Sequence, residues 1–185
     1  MFYLSSIRLS YAINWLYQGK IIAYPTEAVY GLGCDPLNEQ AVTQLLLLKH
    51  RPMAKGLILI AANLQQVLPF IQVNQTIIDR VKLTWPGPIT WVVPAQSWVP
   101  YWLTGQHDTL AVRVSAHPLV YSLCNAFGGP LISTSANPTG KPSPLNAIAV
   151  KKYFPQLRVH LFKGDTGALK QTSAIIDAVT GKVLR

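Results

Sequence analysis

The stretch Lys49-His50-Arg51-Pro52-Met53-Ala54-Lys55-Gly56 places three fixed positive charges and a histidine within eight residues. Only 12% of the residues in the chain are charged, so this concentration stands out. An apolar run with helical spacing precedes it, and residues 56–62 follow it as a predicted buried strand. Because Pro52 cannot continue a helix and disfavours helical geometry at Arg51, we expect the helix to end beside the cations.

Two explanations fit these cations. Basic residues at the C-terminus of a helix offset its dipole, which accounts for Lys49 and Arg51. It does not account for Lys55, which lies on a loop that enters a strand buried on both faces. Cations that converge at the end of a strand are typical of a phosphate or carboxylate site. We therefore predict an anion site at this stretch.

Length and hydrophobicity define the class of protein. The 185 residues fit one domain over residues 1–185 with a sizeable core. Half of the residues are apolar, but no apolar stretch is long enough for a bilayer, and residues 1–17 do not resemble a signal peptide. We expect a soluble cytoplasmic protein without a membrane partner. Cys34 and Cys124 lie far apart among apolar residues and are predicted to be buried free thiols.

The charge balance favours anionic partners. Sixteen Lys and Arg residues against seven Asp and Glu residues give a net charge of +9, which indicates nucleotides or RNA. The acids are widely spaced, which disfavours a carboxylate metal cage or a paired-carboxylate hydrolase unless folding brings two together. The four histidines lack metal-ligand spacing, so we predict no tightly bound metal.

Strands and helices alternate along the chain, but too unevenly for a regular doubly wound fold. We expect a mixed α/β sheet with helices on its faces. The predicted helices cover residues 7–17, 41–48, 63–70, 74–84, 117–127 and 145–154. The predicted strands cover residues 20–24, 56–62, 89–93, 110–114, 130–132 and 158–162, with a further loop-to-strand junction at 171–177. The predicted loops include residues 25–33, 98–107 and 133–143.

Two polar features allow alternative interpretations. Arg113 interrupts an apolar strand, so it either faces solvent or points inward to pair with an anion. Residues 133–143 are rich in hydroxyls and turn residues, which suits either a surface loop or a binding loop. The chain lacks a P-loop, a complete dinucleotide-binding glycine loop and a nucleophile elbow. A bound nucleotide would therefore be held by cations, hydroxyls and loop amides.

Several segments resemble, in order, the YrdC/TsaC family. They are residues 24–36 (YPTEAVYGLGCDP), Lys49-His50-Arg51-Pro52, Lys55-Gly56-Leu57, residues 110–114 (LAVRV) and Ser133-Thr134-Ser135-Ala136-Asn137. The resemblance covers essentially the whole chain, so we expect the short, single-domain bacterial form. It implies a YrdC-like twisted mixed sheet with helices on its faces and a basic concave cavity.

The resemblance also implies an activity. Family members make L-threonylcarbamoyladenylate from L-threonine, bicarbonate and ATP, and they release pyrophosphate. The product supplies the threonylcarbamoyl group placed on the adenosine beside the anticodon of ANN-decoding tRNAs. ATP is then a substrate that carries Mg²⁺ on its phosphates, and tRNA-modification proteins that use the adenylate are the expected partners.

Site residues follow from the same resemblance. The implied catalytic group consists of Lys49, Arg51, Ser135 and Asn137. The implied threonine ligands are Thr26, Lys55, Arg113, Ser133 and Ser173. ATP is expected to contact the catalytic group together with Thr109, Ser143 and Arg185. Because this chain has Gln171-Thr172-Ser173-Ala174 where many relatives have Pro-Ser-Thr, either Thr172 or Ser173 is the threonine contact.

A different class of protein remains an alternative. The net charge of +9 would also suit a non-catalytic RNA-binding module that uses the same basic cavity. The hydroxyl and amide groups of residues 133–137 favour the enzyme, because RNA binding through phosphates does not need them. Under the enzyme interpretation, weak RNA binding is a secondary property. Lys49, Arg51 and Arg113 would then screen the repulsion between two anionic reactants.

Overall fold

The structure is a computed structural model that describes residues 6–155, 160–167, 169 and 173–185. Its strands are β1 (Ile22–Pro25), β2 (Tyr30–Gly33), β3 (Ile58–Ala61), β4 (Ile89–Pro94), β5 (Thr109–Val114), β6 (Leu131–Ser135), β7 (His160–Leu161) and β8 (Ala174–Asp177). Its helices are α1 (Ser6–Tyr17), α2 (Glu39–Lys49), α3 (Leu64–Val67), α4 (Gln75–Lys82), α5 (Tyr101–Thr104), α6 (Pro118–Phe127) and α7 (Ala147–Tyr153). Short 3₁₀ turns lie at Met53–Lys55 and Leu68–Phe70.

The strands described form one sheet in the order β7-β1-β2-β6-β3-β5-β4-β8. The pairs β1–β7, β3–β5 and β4–β8 are parallel. The pairs β1–β2, β2–β6, β3–β6 and β4–β5 are antiparallel. The sheet is therefore mixed, and the predicted mixed α/β class is confirmed.

Helix α2 shows how local sequence sets the direction of the chain at the cationic stretch. The side chain of Asn38 caps its start and accepts a hydrogen bond from the Ala41 N–H at 3.0 Å. The helix ends at Lys49, as Pro52 predicts, and His50 adopts a left-handed conformation with a φ of 50°. His50 thereby turns the chain between Lys49 and Arg51.

The two faces of the sheet are covered differently. One face is buried in a large apolar cluster that includes Leu32, Leu59 and Val112 together with residues of α2 and α4. The other face packs against α1 and α6 through residues such as Leu16 and Leu123. Those two helices cover only part of it. Successive strand residues point to opposite faces of the sheet. Where α1 and α6 do not cover the second face, every other strand residue therefore faces open space.

Three segments differ from the sequence-based predictions. Residues 30–33, predicted as a loop, form β2 because Gly31 and Leu32 pair with β6. Strand β6 continues to Ser135 instead of ending at Ile132, since its polar residues face a cavity. Residues 101–104, inside the loop predicted over 98–107, form α5, whose Leu103 is buried in the core. In each case tertiary contacts override the local pattern.

The remaining predictions concern the C-terminal part of the chain, the two cysteines and the length of the helices. The strand predicted over 158–162 is described from residue 160 onward, and Thr172 also lies outside the described residues. Cys34 and Cys124 are free and buried, as predicted. Within the described ranges, every helix is too short or too polar to span a bilayer.

The glycines of β2 generate a prediction about stability. A Cβ atom at position 33 would clash with the carbonyl oxygen of Ile132 and lie 2.9 Å from the Tyr24 side chain, whereas one at Gly31 would meet its nearest atoms at 3.5 Å. Overpacking of this kind costs about 1–3 kcal/mol. Urea denaturation should therefore show that Gly33→Ala lowers the free energy of unfolding by this amount. Gly31→Ala is the matched control and should change it by less than about 1 kcal/mol; equal losses would contradict the packing argument.

Candidate functional site

A cavity of about 460 Å³ lies on the uncovered part of the second sheet face. One row of paired residues crosses it from β6 to β8: Ser133, Ile58, Ala111, Val92 and Asp177. All five line the cavity, because residues opposite one another on paired strands point to the same face. The sheet itself therefore builds the floor of the site.

Among the described residues, four positively charged side chains line the cavity: Arg51, Lys55, Arg113 and Arg185. Burial and the charge of Arg185 lower the pKa of Arg51. Burial and the charge of Arg113 lower the pKa of Arg185 in turn. These cations thus repel one another in a space partly shielded from water. A bound anion would relieve that repulsion, so the cavity is suited to anions.

Lys49 lies behind the cavity wall. Its side chain is 3% exposed, and Nζ donates to the backbone carbonyls of Ser135 and of Asn137, the latter at 2.6 Å. In return, the carbonyl oxygen of Lys49 accepts hydrogen bonds from the N–H and Oγ1 of Thr139 at 2.8 and 2.9 Å. This reciprocal clamp joins the end of α2 to residues 135–139. Burial and the nearby Arg51 charge lower the pKa of Lys49 to about 8.

Asn137 is turned into its own loop. Its Nδ2 donates to the carbonyl oxygens of Pro138 at 3.0 Å and of Lys141 at 2.6 Å. Its Oδ1 accepts a hydrogen bond from Ser143 Oγ at 3.4 Å. These bonds hold the shape of the loop that follows Ser135, and Ser135 lines the cavity.

Hydroxyl groups line the cavity beside the cations. Thr26 Oγ1 donates to the carbonyl of Val29 at 2.8 Å, within the loop between β1 and β2. Ser173 Oγ lies 3.0 Å from Thr90 Oγ1, and Nη2 of Arg185 donates to the carbonyl of Ser173 at 3.1 Å. Each of these hydroxyls is oriented by the protein, so its oxygen is available to a ligand in a defined position.

Arg113 points inward, which decides between its two predicted orientations. Arg113 is 6% exposed and lines the cavity from β5. Its Nη2 lies 3.6 Å from Oε2 of Glu27. The anion that Arg113 meets inside the protein is therefore a carboxylate on the loop between β1 and β2.

Most of the residues predicted for the site come together. Those that line the cavity are Thr26, Arg51, Lys55, Thr109, Arg113, Ser133, Ser135, Ser173 and Arg185. Lys49, Asn137 and Ser143 do not line it and instead support the loop after β6. The predicted cation cluster is thus divided, since Arg51 and Lys55 face the cavity and Lys49 holds its wall.

Glu27, His107 and Asp177 are polar residues of this region to which the sequence analysis gave no role in the site. His107 and Asp177 line the cavity, and Asp177 is the one acid among the described lining residues. Hydrogen bonds from the backbone N–H groups of Thr180 and Val179 hold the pKa of Asp177 below its usual value. No local signal marks His107. Glu27 was visible only as an acid next to Thr26 in a glycine-containing loop.

The donor set suits a polyanion better than a resident metal. Within the described part of the chain, no three His, Cys, Asp or Glu residues are grouped to hold a metal ion. The cations and fixed hydroxyls, among them Arg51, Arg113 and Thr26, can instead hold phosphate and carboxylate groups.

Comparisons with known proteins show what the chain is similar to. The model of the Sua5, YciO and YrdC family, described as "Telomere recombination", matches residues 14–185. The chain is 52% identical over 182 residues to a threonylcarbamoyl-AMP synthase of Pseudomonas entomophila, covering 98% of each chain. It is 50% identical over 179 residues to one of Cellvibrio japonicus, covering 96% of this chain and 95% of the relative.

A solved structure is similar over the same length. The chain matches Sua5 of P. abyssi complexed with L-threonine with a TM-score of 0.88 and 33% sequence identity. The match covers 95% of this chain and 52% of that protein, so the chain spans about half the length of that relative. That relative is complexed with L-threonine, and this chain shares its fold over the matched length.

Lys49 generates a prediction about pH. Its pKa is about 8 in the folded protein and 10.5 ordinarily, so the unfolded state binds more protons between these values. The contribution of Lys49 to the free energy of unfolding should therefore rise with pH across that window, by up to about 1.4 kcal/mol per pH unit. Below pH 8 both states are protonated, and the contribution should be constant.

Urea denaturation of the wild type and Lys49→Met at about pH 7, 8.5 and 10 measures this. Subtracting the free energy of unfolding of Lys49→Met from that of the wild type at each pH removes the contribution of other titrating groups. This difference should increase as the pH rises. A difference that stays flat or moves the other way would show that Lys49 keeps its proton as firmly in the folded state as in the unfolded one.

Proposed function

Because this chain belongs to the Sua5/YciO/YrdC family, we propose that it is a threonylcarbamoyl-AMP synthase, an enzyme of the nucleotidyltransferase type. The family is the one that the sequence motifs indicated. In the proposed reaction, L-threonine, bicarbonate or CO₂, and ATP give L-threonylcarbamoyladenylate and pyrophosphate. The near-complete overlap with two named synthases supports this activity, and the L-threonine bound to P. abyssi Sua5 supports threonine as a substrate.

The observation that carries the proposal is the group of mutually repelling cations beside fixed hydroxyls in one cavity. The reaction must bring two anions together, a carbamate and the triphosphate of ATP. Positive charge that is already in place lowers the cost of this encounter and of the charge that develops on the transferred group. A surface that only follows RNA phosphates would not need the oriented hydroxyls of Thr26 and Ser173.

The chemistry proceeds in two steps. The neutral amine nitrogen of threonine attacks the carbon of CO₂, a C–N bond forms, and the nitrogen loses a proton to give the carbamate. A carbamate oxygen then attacks the α-phosphorus of ATP, and the bond from that phosphorus to the bridging oxygen of pyrophosphate breaks. Catalysis consists mainly of alignment and charge stabilisation. The cavity also shields the carbamate, which water readily decomposes.

The binding roles follow the family resemblance. L-threonine is assigned to Thr26, Lys55, Arg113, Ser133 and Ser173. ATP is assigned to Arg51, Thr109, Ser135 and Arg185. Lys49, Asn137 and Ser143 complete the nucleotide site by holding the loop after β6. Mg²⁺ enters on the phosphates, whose oxygens and bound water are ligands that it prefers.

The product has a defined destination in this proposal. An acyl adenylate is an activated donor, so a further enzyme must transfer its threonylcarbamoyl group. The expected acceptor is the adenosine beside the anticodon of ANN-decoding tRNAs, with tRNA-modification proteins as partners. The net charge of +9 supports weak contact with RNA as a secondary property.

Pyrophosphate release tests the activity. We expect release from ATP only when threonine and bicarbonate are both present, and without any tRNA. Depleting CO₂ should stop turnover as completely as omitting threonine, because the carbamate is the nucleophile. Release that is indifferent to bicarbonate would indicate ordinary amino-acid adenylation instead.

A pair of variants separates the enzyme from an RNA-binding module. Arg51→Ala removes a cation that lines the cavity, and Lys151→Ala removes an exposed one on α7. Loss of a charge-assisted contact should reduce the rate about tenfold or more for Arg51→Ala only. Both should weaken RNA binding slightly and to a similar degree. Absence of pyrophosphate release in the wild type, with tight RNA binding, would favour the module.

Gly31→Ala tests whether threonine binds beside Thr26 and Ser133. The added methyl group would lie 3.5 Å from Ser133 Oγ and from the methyl of Thr26, inside the space assigned to threonine. Since the fold tolerates this contact, the loss should appear in binding. We expect KM for threonine to rise about tenfold while KM for ATP changes little. An unchanged KM for threonine would show that the amino acid binds in another part of the cavity.

A further inference from the structure

Glu27 is a buried carboxylate that the proposed reaction does not use directly. It lies between Thr26 and Ala28, which line the cavity, but it does not line the cavity itself. Its Oε1 accepts hydrogen bonds from Ser115 Oγ at 2.6 Å and from the Ala116 N–H at 3.1 Å. Both donors belong to the turn after β5. Glu27 is therefore fixed to the end of the strand that carries Arg113.

The second oxygen of Glu27 is directed toward Arg113. Oε2 lies 3.6 Å from Nη2 of Arg113, and the two side chains are 11% and 8% exposed. Within the described part of the chain, neither Oε2 of Glu27 nor Nε of Arg113 has a hydrogen-bond partner. The guanidinium is thus held by the charge of Glu27 rather than by a hydrogen bond to it, and its Nε is buried.

A lone buried cation would be unfavourable and poorly oriented. A buried charge without a partner is costly, so an unpaired Arg113 would turn toward water or other acceptors. Glu27 supplies the compensating charge from the protein side. This lets the guanidinium keep a fixed position in a cavity where Arg185 repels it.

We propose that Glu27 is a positioning residue: through its ion pair it orients the Arg113 guanidinium for the carboxylate of the amino-acid substrate. The identity of that substrate rests on the proposed function, whereas the orientation of Arg113 does not. The same contact also fixes the position of Thr26 relative to β5, because Thr26 and Glu27 are adjacent in the chain. Removing the charge of Glu27 should therefore affect amino-acid binding more than nucleotide binding.

Glu27→Gln is the most informative variant. The amide keeps an oxygen that can accept from Ser115 and Ala116, but it has no charge for Arg113. The matched control is Glu39→Gln, which changes the net charge equally at an exposed residue of α2. Thermal unfolding of both variants checks that they remain folded.

The first measurement does not depend on any reaction. Hydrogen exchange of the Arg113 Nε–H is followed by NMR, with the resonance assigned by its loss in Arg113→Lys. Because the Nε–H is buried while Glu27 holds the guanidinium in place, we expect a protected resonance in the wild type and in Glu39→Gln, and exchange at least about tenfold faster in Glu27→Gln. Equal protection in all three proteins would overturn the inference, whether or not the protein makes the adenylate.

The second measurement tests the consequence for the substrate. In pyrophosphate-release assays, Glu27→Gln should raise KM for threonine about tenfold while KM for ATP and kcat stay within about threefold. In the Arg113→Lys background the same substitution should add little, because its effect passes through the guanidinium. Additive losses, or a fall in KM for threonine, would show that Glu27 only stabilises the fold or competes with the substrate.

The two measurements separate the two hypotheses. If the wild type makes no adenylate but Glu27→Gln loses the Arg113 protection, the proposed function fails and the positioning role stands. If the wild type is active and the Arg113 resonance is unaffected by Glu27→Gln, the function stands and the positioning role fails.

Discussion

Repulsion among cations on one incompletely covered sheet face governs how the two faces of the sheet are used. Arg51, Arg113 and Arg185 are held near one another with depressed pKa values or a compensating carboxylate. Such an arrangement is unfavourable by itself, so the opposite face of the sheet must supply stability through a continuous apolar cluster. The cavity thus occupies only the part of one face that α1 and α6 leave open, while apolar clusters cover the opposite face and the remainder of its own.

The predictable part of the fold is the part that local chemistry decides. Asn38 caps the start of helix α2, and Pro52 sterically prevents the helix from continuing. Both effects act over a few residues. Strand β2 was missed because Gly31 and Gly33 hide its pattern, and only the close packing against Ile132 of β6 and Tyr24 of β1 explains why glycine is needed at position 33. Helix α5 was missed because a single turn has almost no periodicity to detect.

The site shows the same division. The motifs identified the cations and hydroxyls, and the alternation in β5 and β6 turns Arg113 and Ser133 to one face. Which cation faces the ligand depends on the turn at His50, and no sequence pattern showed that Lys49 would bind the carbonyls behind Ser135. The pairing of Glu27 with Arg113 joins residues far apart in the chain, so it becomes visible only after folding.

The row of residues from Ser133 to Asp177 has a consequence for how the protein unfolds. The walls of the cavity come from β2, β3, β4, β5, β6 and β8, so no fragment of the sheet contains a complete binding surface. A ligand held there gains affinity only from the fully assembled sheet, and mass action then favours that state over every partly folded one. Bound ligand would thus stabilise the whole fold cooperatively. Segments that never touch the ligand would be protected from unfolding as effectively as those that do.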